Sequence, residues 1–164
     1  MLYNFDVKKI PLNTRRKLFS LAGFAGLLIP VFASRSSHAA GSKPETIHQP
    51  SSKTDQDFID RAFKMQREAR NIGDQAYGAV VVRDGIIVGQ SPSHVIVHRD
   101  PTAHAEMEAI RDAAARLGNR DLSRCTLYSS SSACPMCEAA AYWANIDRMV
   151  YGEALSDGGR PSLC

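Results

Sequence analysis

The chain lacks several features that would assign it to other protein classes. Its 164 residues contain only four cysteines, and only one pair of them is closely spaced, so there is no disulfide framework. The absence of a second Cys-x-x-Cys pair excludes a structural zinc site built from two such pairs. No internal repeat is present, which argues against a repeat architecture. This length and composition predict a single globular domain with one core.

Positive charge is also scarce beyond the first segment of the chain. The net charge of +3 arises from residues 1–39, which contain six Lys and Arg and only one acidic residue. The remaining residues carry 14 Lys and Arg against 16 Asp and Glu. A nucleic-acid-binding surface normally has a basic surplus, and this part of the chain has none. We therefore expect a small-molecule substrate and no nucleic-acid partner.

Residues 1–39 are interpreted as an export signal. The paired Arg15 and Arg16 precede an apolar run at residues 18–33 that contains two glycines and a proline. The run is too short and too rich in glycine to predict a spanning helix, and small residues at 37 and 39 fit a cleavage site. The segment resembles a bacterial twin-arginine signal, which implies a periplasmic or otherwise exported protein without stable membrane insertion after processing. An ordinary secretory signal and an uncleaved anchor are the alternatives.

The rest of the chain predicts a linker at residues 40–53 and an α/β domain at residues 54–164. Hydrophobic periodicity, capping residues and turn residues delimit the elements of this domain. In chain order they are a helix at 55–71, hairpin strands at 77–82 and 86–89, a helix that starts at Asp100-Pro101 and ends at Leu117, a strand at 125–129, a helix at 136–144 and a strand at 148–152. Helices that cover both faces of a mixed sheet give a three-layer α/β/α sandwich, which is the predicted fold.

The second predicted helix carries the first motif that could support chemistry. His104 and Glu106 form a His-x-Glu motif in its first turn, and Glu106 falls within the apolar stripe of the helix. A carboxylate that faces a core is costly unless it is paired or used. The alternative is a glutamate that merely lies at the edge of the stripe.

The second motif is the Cys134-Pro135-Met136-Cys137 segment at the start of the next helix. Its spacing brings both sulfurs to one side of a first helical turn, where the helix amino terminus favours the metal-binding thiolate. Alone, such a pair also fits a redox dithiol or half of a structural zinc site. One His and two Cys, however, are the ligands of a zinc site with an open fourth position. Because both motifs begin helices in successive α/β units, we predict that they converge on one zinc ion per chain.

A His-x-Glu motif followed by Cys-x-x-Cys resembles the cytidine deaminase-like superfamily over roughly residues 55–153. The most similar branch holds the guanine deaminases and the tRNA adenosine deaminases. The flanking segments that carry the resemblance are 100–106, 133–137 and 141–144.

This resemblance implies a set of site residues. Zinc would be held by His104, Cys134 and Cys137, with a water as the fourth ligand. Glu106 would move protons from that water to the ring nitrogen and to the departing ammonia. The substrate would contact Ser93, and backbone amides near Ala105 and Cys134 would line its pocket.

The chain departs from the pattern of this superfamily at three places. Ala133 replaces the proline that commonly precedes the first Cys, and it follows a run of four serines. Ser93 replaces the asparagine of the base-reading branch, and a hydroxyl can replace only one hydrogen bond of an amide. The chain also stops soon after the last predicted strand, where the superfamily continues with a strand and a helix. We expect either a shortened member or a homo-oligomer whose partner chain closes the pocket.

These observations predict zinc-dependent hydrolytic deamination of a small nucleobase or nucleoside, with guanine as the first choice and ammonia as a product. A second hypothesis is a non-catalytic protein of the same fold that retains its zinc. Lesser alternatives are an adenosine- or cytidine-type deaminase and an exported thiol oxidoreductase that uses Cys134 and Cys137. The oxidoreductase hypothesis leaves Glu106 unexplained.

Overall fold

A computed structural model describes residues 46–163 of the chain. The predicted export signal lies outside these residues and stays a prediction. Within the described part, no helix is both long enough and apolar enough to cross a membrane. The elements of this part are α1 (Asp55–Asn71), β1 (Gly78–Arg83), β2 (Ile86–Pro92), α2 (Ala105–Leu117), β3 (Cys125–Ser129), α3 (Pro135–Trp143), β4 (Arg148–Tyr151) and β5 (Ser156–Gly159).

The five strands form one mixed sheet in the order β2-β1-β3-β4-β5. Strand β1 runs antiparallel to both β2 and β3, β3 and β4 are parallel, and β5 is antiparallel to β4. Strand β5 lies beyond the last strand that the sequence predicted. All four of its residues are exposed, so it has no burial pattern, and only its pairing with β4 makes it a strand.

Alternating side chains of the sheet pack against helices on both of its faces. Val80 and Val82 of β1 belong to a buried cluster that includes residues of α1. Ala79 and Val81 point to the other face and belong to a cluster that includes residues of α2 and α3. The predicted three-layer α/β/α sandwich is therefore confirmed.

The start of α1 and the first hairpin form as the sequence predicts. Thr54 caps α1 in a capping box with Asp57, in which each side chain bonds the backbone N–H of the other residue. Asp84 and Gly85, which connect β1 and β2, both have positive φ angles, of 51° and 72°. Positive φ at both central residues is typical of tight two-residue hairpin turns.

The predicted start of the second helix at Asp100-Pro101 is wrong, because α2 begins at Ala105 with His104 as its N-cap. The carboxylate of Asp100 accepts hydrogen bonds from the backbone N–H and the hydroxyl of Thr102, at 2.8 and 2.7 Å. This local bonding competes with helix formation and produces a turn instead. His104 therefore has extended backbone angles and lies just before the helix.

Part of the segment predicted as a linker packs against the domain. Ile47 is buried in the cluster that includes α1. The side-chain amide of Gln49 both donates to and accepts from the backbone of Ile87, at 2.9 and 2.8 Å. Two isolated residues produce no periodic pattern, so these contacts could not be predicted from the sequence.

Strand β2 and helix α2 approach each other closely at Gly89. A Cβ atom at this position would lie 2.5 Å from the carbonyl oxygen of Ala109 and from the backbone nitrogen of Ala113. Only a residue without a side chain fits there. This contact sets the distance from the sheet to the helix that carries Glu106.

Candidate zinc centre and active site

The structure brings His104, Cys134 and Cys137 together as a group that could hold a metal ion. Nδ1 of His104 lies 3.7 Å from Sγ of Cys134 and 3.6 Å from Sγ of Cys137, and the two sulfurs are 3.6 Å apart. Tetrahedral zinc, with bonds of about 2.3 Å to sulfur and about 2.1 Å to nitrogen, separates such ligand atoms by about 3.6 to 3.8 Å. The donor set therefore fits zinc as it stands.

The starts of two helices place these ligands. His104 is the N-cap of α2 and Cys134 is the N-cap of α3, and neither side chain makes a capping hydrogen bond. Pro135 occupies the first turn of α3, where its missing N–H is not needed, and Cys137 follows in the same turn. Both helices pack on one face of the sheet, and their amino-terminal ends meet at the ligand group.

Glu106 lies beside this group and is 5% exposed. Its Oε1 lies 2.9 Å from the hydroxyl of Ser129, whose one proton it shares with the carbonyl oxygen of Ser131 at 2.6 Å, and its Oε2 lies 3.6 Å from Sγ of Cys137. The hydrogen bond from Ser129 offsets part of the cost of burying this carboxylate. Glu106 has the inward orientation that the sequence predicted.

The electrostatics of the group favour a bound cation. Burial raises the pKa of the Cys137 thiol, and the neighbouring carboxylate of Glu106 raises this pKa further. A divalent cation reverses this effect because it stabilises a thiolate directly. The chemistry of the donor set and its geometry therefore agree on a metal ion.

A cavity of about 480 Å³ opens onto this centre. This volume is in the range of small-molecule sites. Four of its lining residues were not predicted from the sequence as site residues, and the serine run before Cys134 is a signal that could have indicated two of them. A larger cavity, of about 700 Å³, is lined mainly by α1 and contains none of the metal ligands. The residues that line the smaller cavity are Gln75, Tyr77, His104, Glu106, Ser131, Ser132 and Cys134.

The two residues predicted to contact substrate are buried away from the lining of this cavity. Ser93 is fully buried, and its hydroxyl donates to Oδ1 of Asp74 at 2.8 Å. Ala105 is fully buried as the first residue of α2. Neither residue lines the cavity, so their contact with a substrate stays a prediction.

The fold is a mixed five-stranded sheet between two helical layers, and the starts of two helices carry one His, two Cys and a buried Glu. This combination defines a zinc-binding domain of the deaminase type. Residues 52–153 match the family described as the cytidine and deoxycytidylate deaminase zinc-binding region. The chain belongs to this family.

Its relatives come from several branches of the family. The guanine deaminase of Bacillus subtilis (strain 168) is 42% identical over 101 residues, which are 61% of this chain and 65% of that protein. A probable cytosine deaminase of Schizosaccharomyces pombe and a tRNA-specific adenosine deaminase of Aquifex aeolicus are each 34% identical. The matches cover 62% and 57% of this chain, and 61% and 62% of those proteins. The chain therefore spans somewhat less than two thirds of the length of these relatives.

A solved structure supports the same assignment. The X-ray structure of guanine deaminase from Bacillus subtilis is similar with a TM-score of 0.59 and 41% identity, over 60% of this chain and 64% of that one. The cytidine deaminase-like fold and a zinc-binding domain are thus established for this chain.

Proposed function

We propose that this chain catalyses the zinc-dependent hydrolytic deamination of a small nucleobase or nucleoside, with guanine as the first choice. The observation that carries the proposal is the placement of Glu106 beside His104, Cys134 and Cys137 at the cavity. Zinc bound there would activate a water molecule for attack on the ring carbon that bears the amine. The 42% identity with a guanine deaminase supports the choice of base.

In this proposal the protein's own residues have distinct tasks. Glu106 accepts one proton from the attacking water and delivers it to a ring nitrogen. It then accepts the remaining proton of the added hydroxyl, which becomes the carbonyl, and delivers it to the amine, which departs as ammonia. Ser129 holds Oε1 of Glu106 and so fixes the direction in which the carboxylate works. Gln75 and Tyr77 line the same cavity, together with two serines of the run, and supply polar groups and an aromatic ring for a planar base.

The test combines zinc analysis with ammonia release from guanine, guanosine, adenosine and cytidine. We expect zinc to co-purify with the protein and guanine to be the preferred substrate. A Glu106→Gln variant should retain zinc and lose activity by about 10³-fold, because general acid–base catalysis contributes roughly 10² to 10⁴. Glu68→Gln, on α1 at the opposite face of the sheet, is the matched control and should behave like the wild type.

A specific observation favours a second candidate, a zinc-containing member without catalysis. Ser93, at the position of the base-reading asparagine, gives its hydroxyl to Asp74 and does not line the cavity. This candidate predicts bound zinc and no ammonia from any compound of the panel. Guanine turnover that depends on Glu106 would exclude it.

We also propose that the chain is exported through its first 39 residues. Their basic surplus, paired arginines and apolar run support the proposal. Export of an already folded domain would let zinc occupy Cys134 and Cys137 before they meet an oxidant. When the full chain is expressed, cell fractionation should find the protein outside the cytoplasm, and an Arg15→Lys/Arg16→Lys variant should remain inside. A Lys8→Gln/Lys9→Gln variant serves as the control.

Finally, we propose a homo-oligomer. Large apolar side chains are exposed at Ile72, Tyr77, Ile96 and Val97, and Tyr77 also lines the cavity. Apolar surface of this kind is favourably buried by a second copy of the chain. Light scattering should give a mass above that of one chain, and an Ile96→Glu/Val97→Glu variant should reduce it. A wild type with the mass of one chain contradicts the proposal.

A further inference from the structure

A second group of potential metal ligands lies outside the cavity. His94, His98 and Glu108 each offer one ligand atom, and these atoms all lie within 4.8 Å of one another. None of the three lines the cavity, and none is among the three residues of the zinc centre. We propose that His94, His98 and Glu108 form a second binding site for a divalent transition metal.

The backbone between the two histidines places both rings on one side. The N–H of His98 donates to the carbonyl oxygen of His94 at 2.9 Å, which closes a single helix-like turn. Residues four apart in such a turn lie one above the other. The imidazole rings accordingly stack, with centroids 4.6 Å apart and planes inclined by 9°.

A buried carboxylate holds this turn in place before any metal binds. Oδ2 of Asp74 accepts hydrogen bonds from the backbone N–H groups of Ile96 and Val97, at 2.8 and 2.9 Å. Oδ1 of Asp74 accepts from the hydroxyl of Ser93, directly before the first histidine of the site. A turn that is held at its start and in its middle loses less conformational freedom when a metal binds, which favours affinity.

The third ligand comes from a different element, the first turn of α2. The N–H of His94 donates to the carbonyl oxygen of Ala103 at 3.0 Å, which joins the segment of the two histidines to the residues directly before α2. Oε1 of Glu108 pairs with Arg111, and a carboxylate has a second oxygen with which to bind a cation. Two imidazoles and one carboxylate suit zinc, nickel(II) and copper(II) better than calcium or magnesium.

Binding requires a small adjustment of the side chains. Tetrahedral bonds of about 2.1 Å place two ligand nitrogens about 3.4 Å apart, whereas the ligand atoms here are up to 4.8 Å apart. His98 is exposed, so its ring can rotate out of the stack without disturbing the core. A bound metal would then connect the segment after β2 to the helix that carries Glu106.

The test measures zinc stoichiometry in the full chain by equilibrium dialysis, with metal content determined by atomic emission. We expect two zinc ions per wild-type chain, and we expect His98→Gln and Glu108→Gln to weaken the second one by at least about tenfold. Outer partners of a metal ligand already contribute roughly 10- to 100-fold, so the loss of a direct ligand should cost at least as much. His48→Gln, at an exposed histidine outside the group, is the matched control and should keep both ions.

Nuclear magnetic resonance of the histidine rings provides a readout that does not depend on activity. The second equivalent of zinc should shift the ring signals of His94 and His98 and leave those of His48 unchanged. A single zinc ion in the wild type, or a second ion that persists at full affinity in His98→Gln, would overturn the proposal. Absence of ammonia release bears only on the proposed deaminase activity, because the stoichiometry is measured without substrate.

Discussion

Replacing Gly89 by alanine should disturb both the stability of this domain and its proposed deaminase activity. The ideal Cβ atom at residue 89 would lie 2.5 Å from the carbonyl oxygen of Ala109 and 2.7 Å from the Cβ atom of Ala113. Ordinary contact begins at 3.4 Å, so α2 must retreat from the sheet by about 0.9 Å. The obstructing atoms include helix backbone, which cannot rotate aside as a side chain can.

Two magnitudes follow from this displacement. Overpacking of a core costs roughly 1 to 3 kcal/mol of unfolding free energy, which for a domain of this size lowers Tm by about 4 to 12 °C. Glu106 lies one turn before Ala109 on the same helix and moves with it. A misplacement of about 1 Å can cost on the order of 10² in rate, so kcat should fall by about that factor in a protein that still binds zinc.

The assay pairs thermal unfolding with steady-state kinetics on the best substrate of the panel. Gly158→Ala is the matched control, because its nearest contact is the edge of the Tyr151 ring at 3.2 Å and it lies on strand β5. The control should keep the Tm and kcat of the wild type within a few degrees and about twofold. Wild-type stability and kcat in Gly89→Ala would refute the claim that this contact positions α2.

Three further predictions concern single groups of the structure. Burial favours a raised pKa for Asp74, but the hydrogen bonds from Val97, Ser93, Gln75 and Ile96 outweigh it and hold the pKa below its ordinary value of 3.8. Asp74→Asn should therefore lose about 2 kcal/mol at pH 7, and urea unfolding should show this deficit shrinking below about pH 4 as the wild-type carboxylate is protonated. Ser129→Ala should reduce kcat about tenfold and leave KM nearly unchanged, because the hydroxyl of Ser129 orients Glu106. Ser129→Thr retains a hydroxyl and should therefore keep most of the wild-type kcat. Removal of zinc by a chelator should lower Tm and expose Cys134 to alkylation, measured in a Cys164→Ser background. Cys125 should stay unreactive, because it is fully buried and burial raises its pKa. Equal labelling of Cys134 with and without zinc would contradict the assigned ligands.

Much of the fold follows from local signals in the chain. Thr54 and Asp57 form a capping box, Asp84-Gly85 supports a tight turn, and Gly118 ends α2 in the left-handed conformation. Each of these outcomes depends on residues close together in sequence, so pattern and propensity predict them. The start of α2 was predicted four residues too early, because the side chain of Asp100 bonds Thr102 locally and does not cap a helix.

Long-range contacts explain the features that pattern alone missed. Strand β5 has four exposed residues and exists only because the edge of β4 pairs with it. Gln49 joins the domain through the backbone of Ile87, which is 38 residues away. Ser93 donates a hydrogen bond to Asp74, and neither the types of these two residues nor their separation in the sequence predicts this contact.

By itself, the sequence determined which residues are the candidate zinc ligands and which glutamate accompanies them, because His104, Glu106, Cys134 and Cys137 keep spacings that only a few kinds of site use. The tertiary structure alone decided what surrounds them. It placed Gln75, Tyr77 and two serines along the cavity, turned Ser93 away toward Asp74, and gathered two histidines and a glutamate into a separate group. Ligand chemistry restricts residue type and spacing, whereas a cavity wall depends on how distant segments pack.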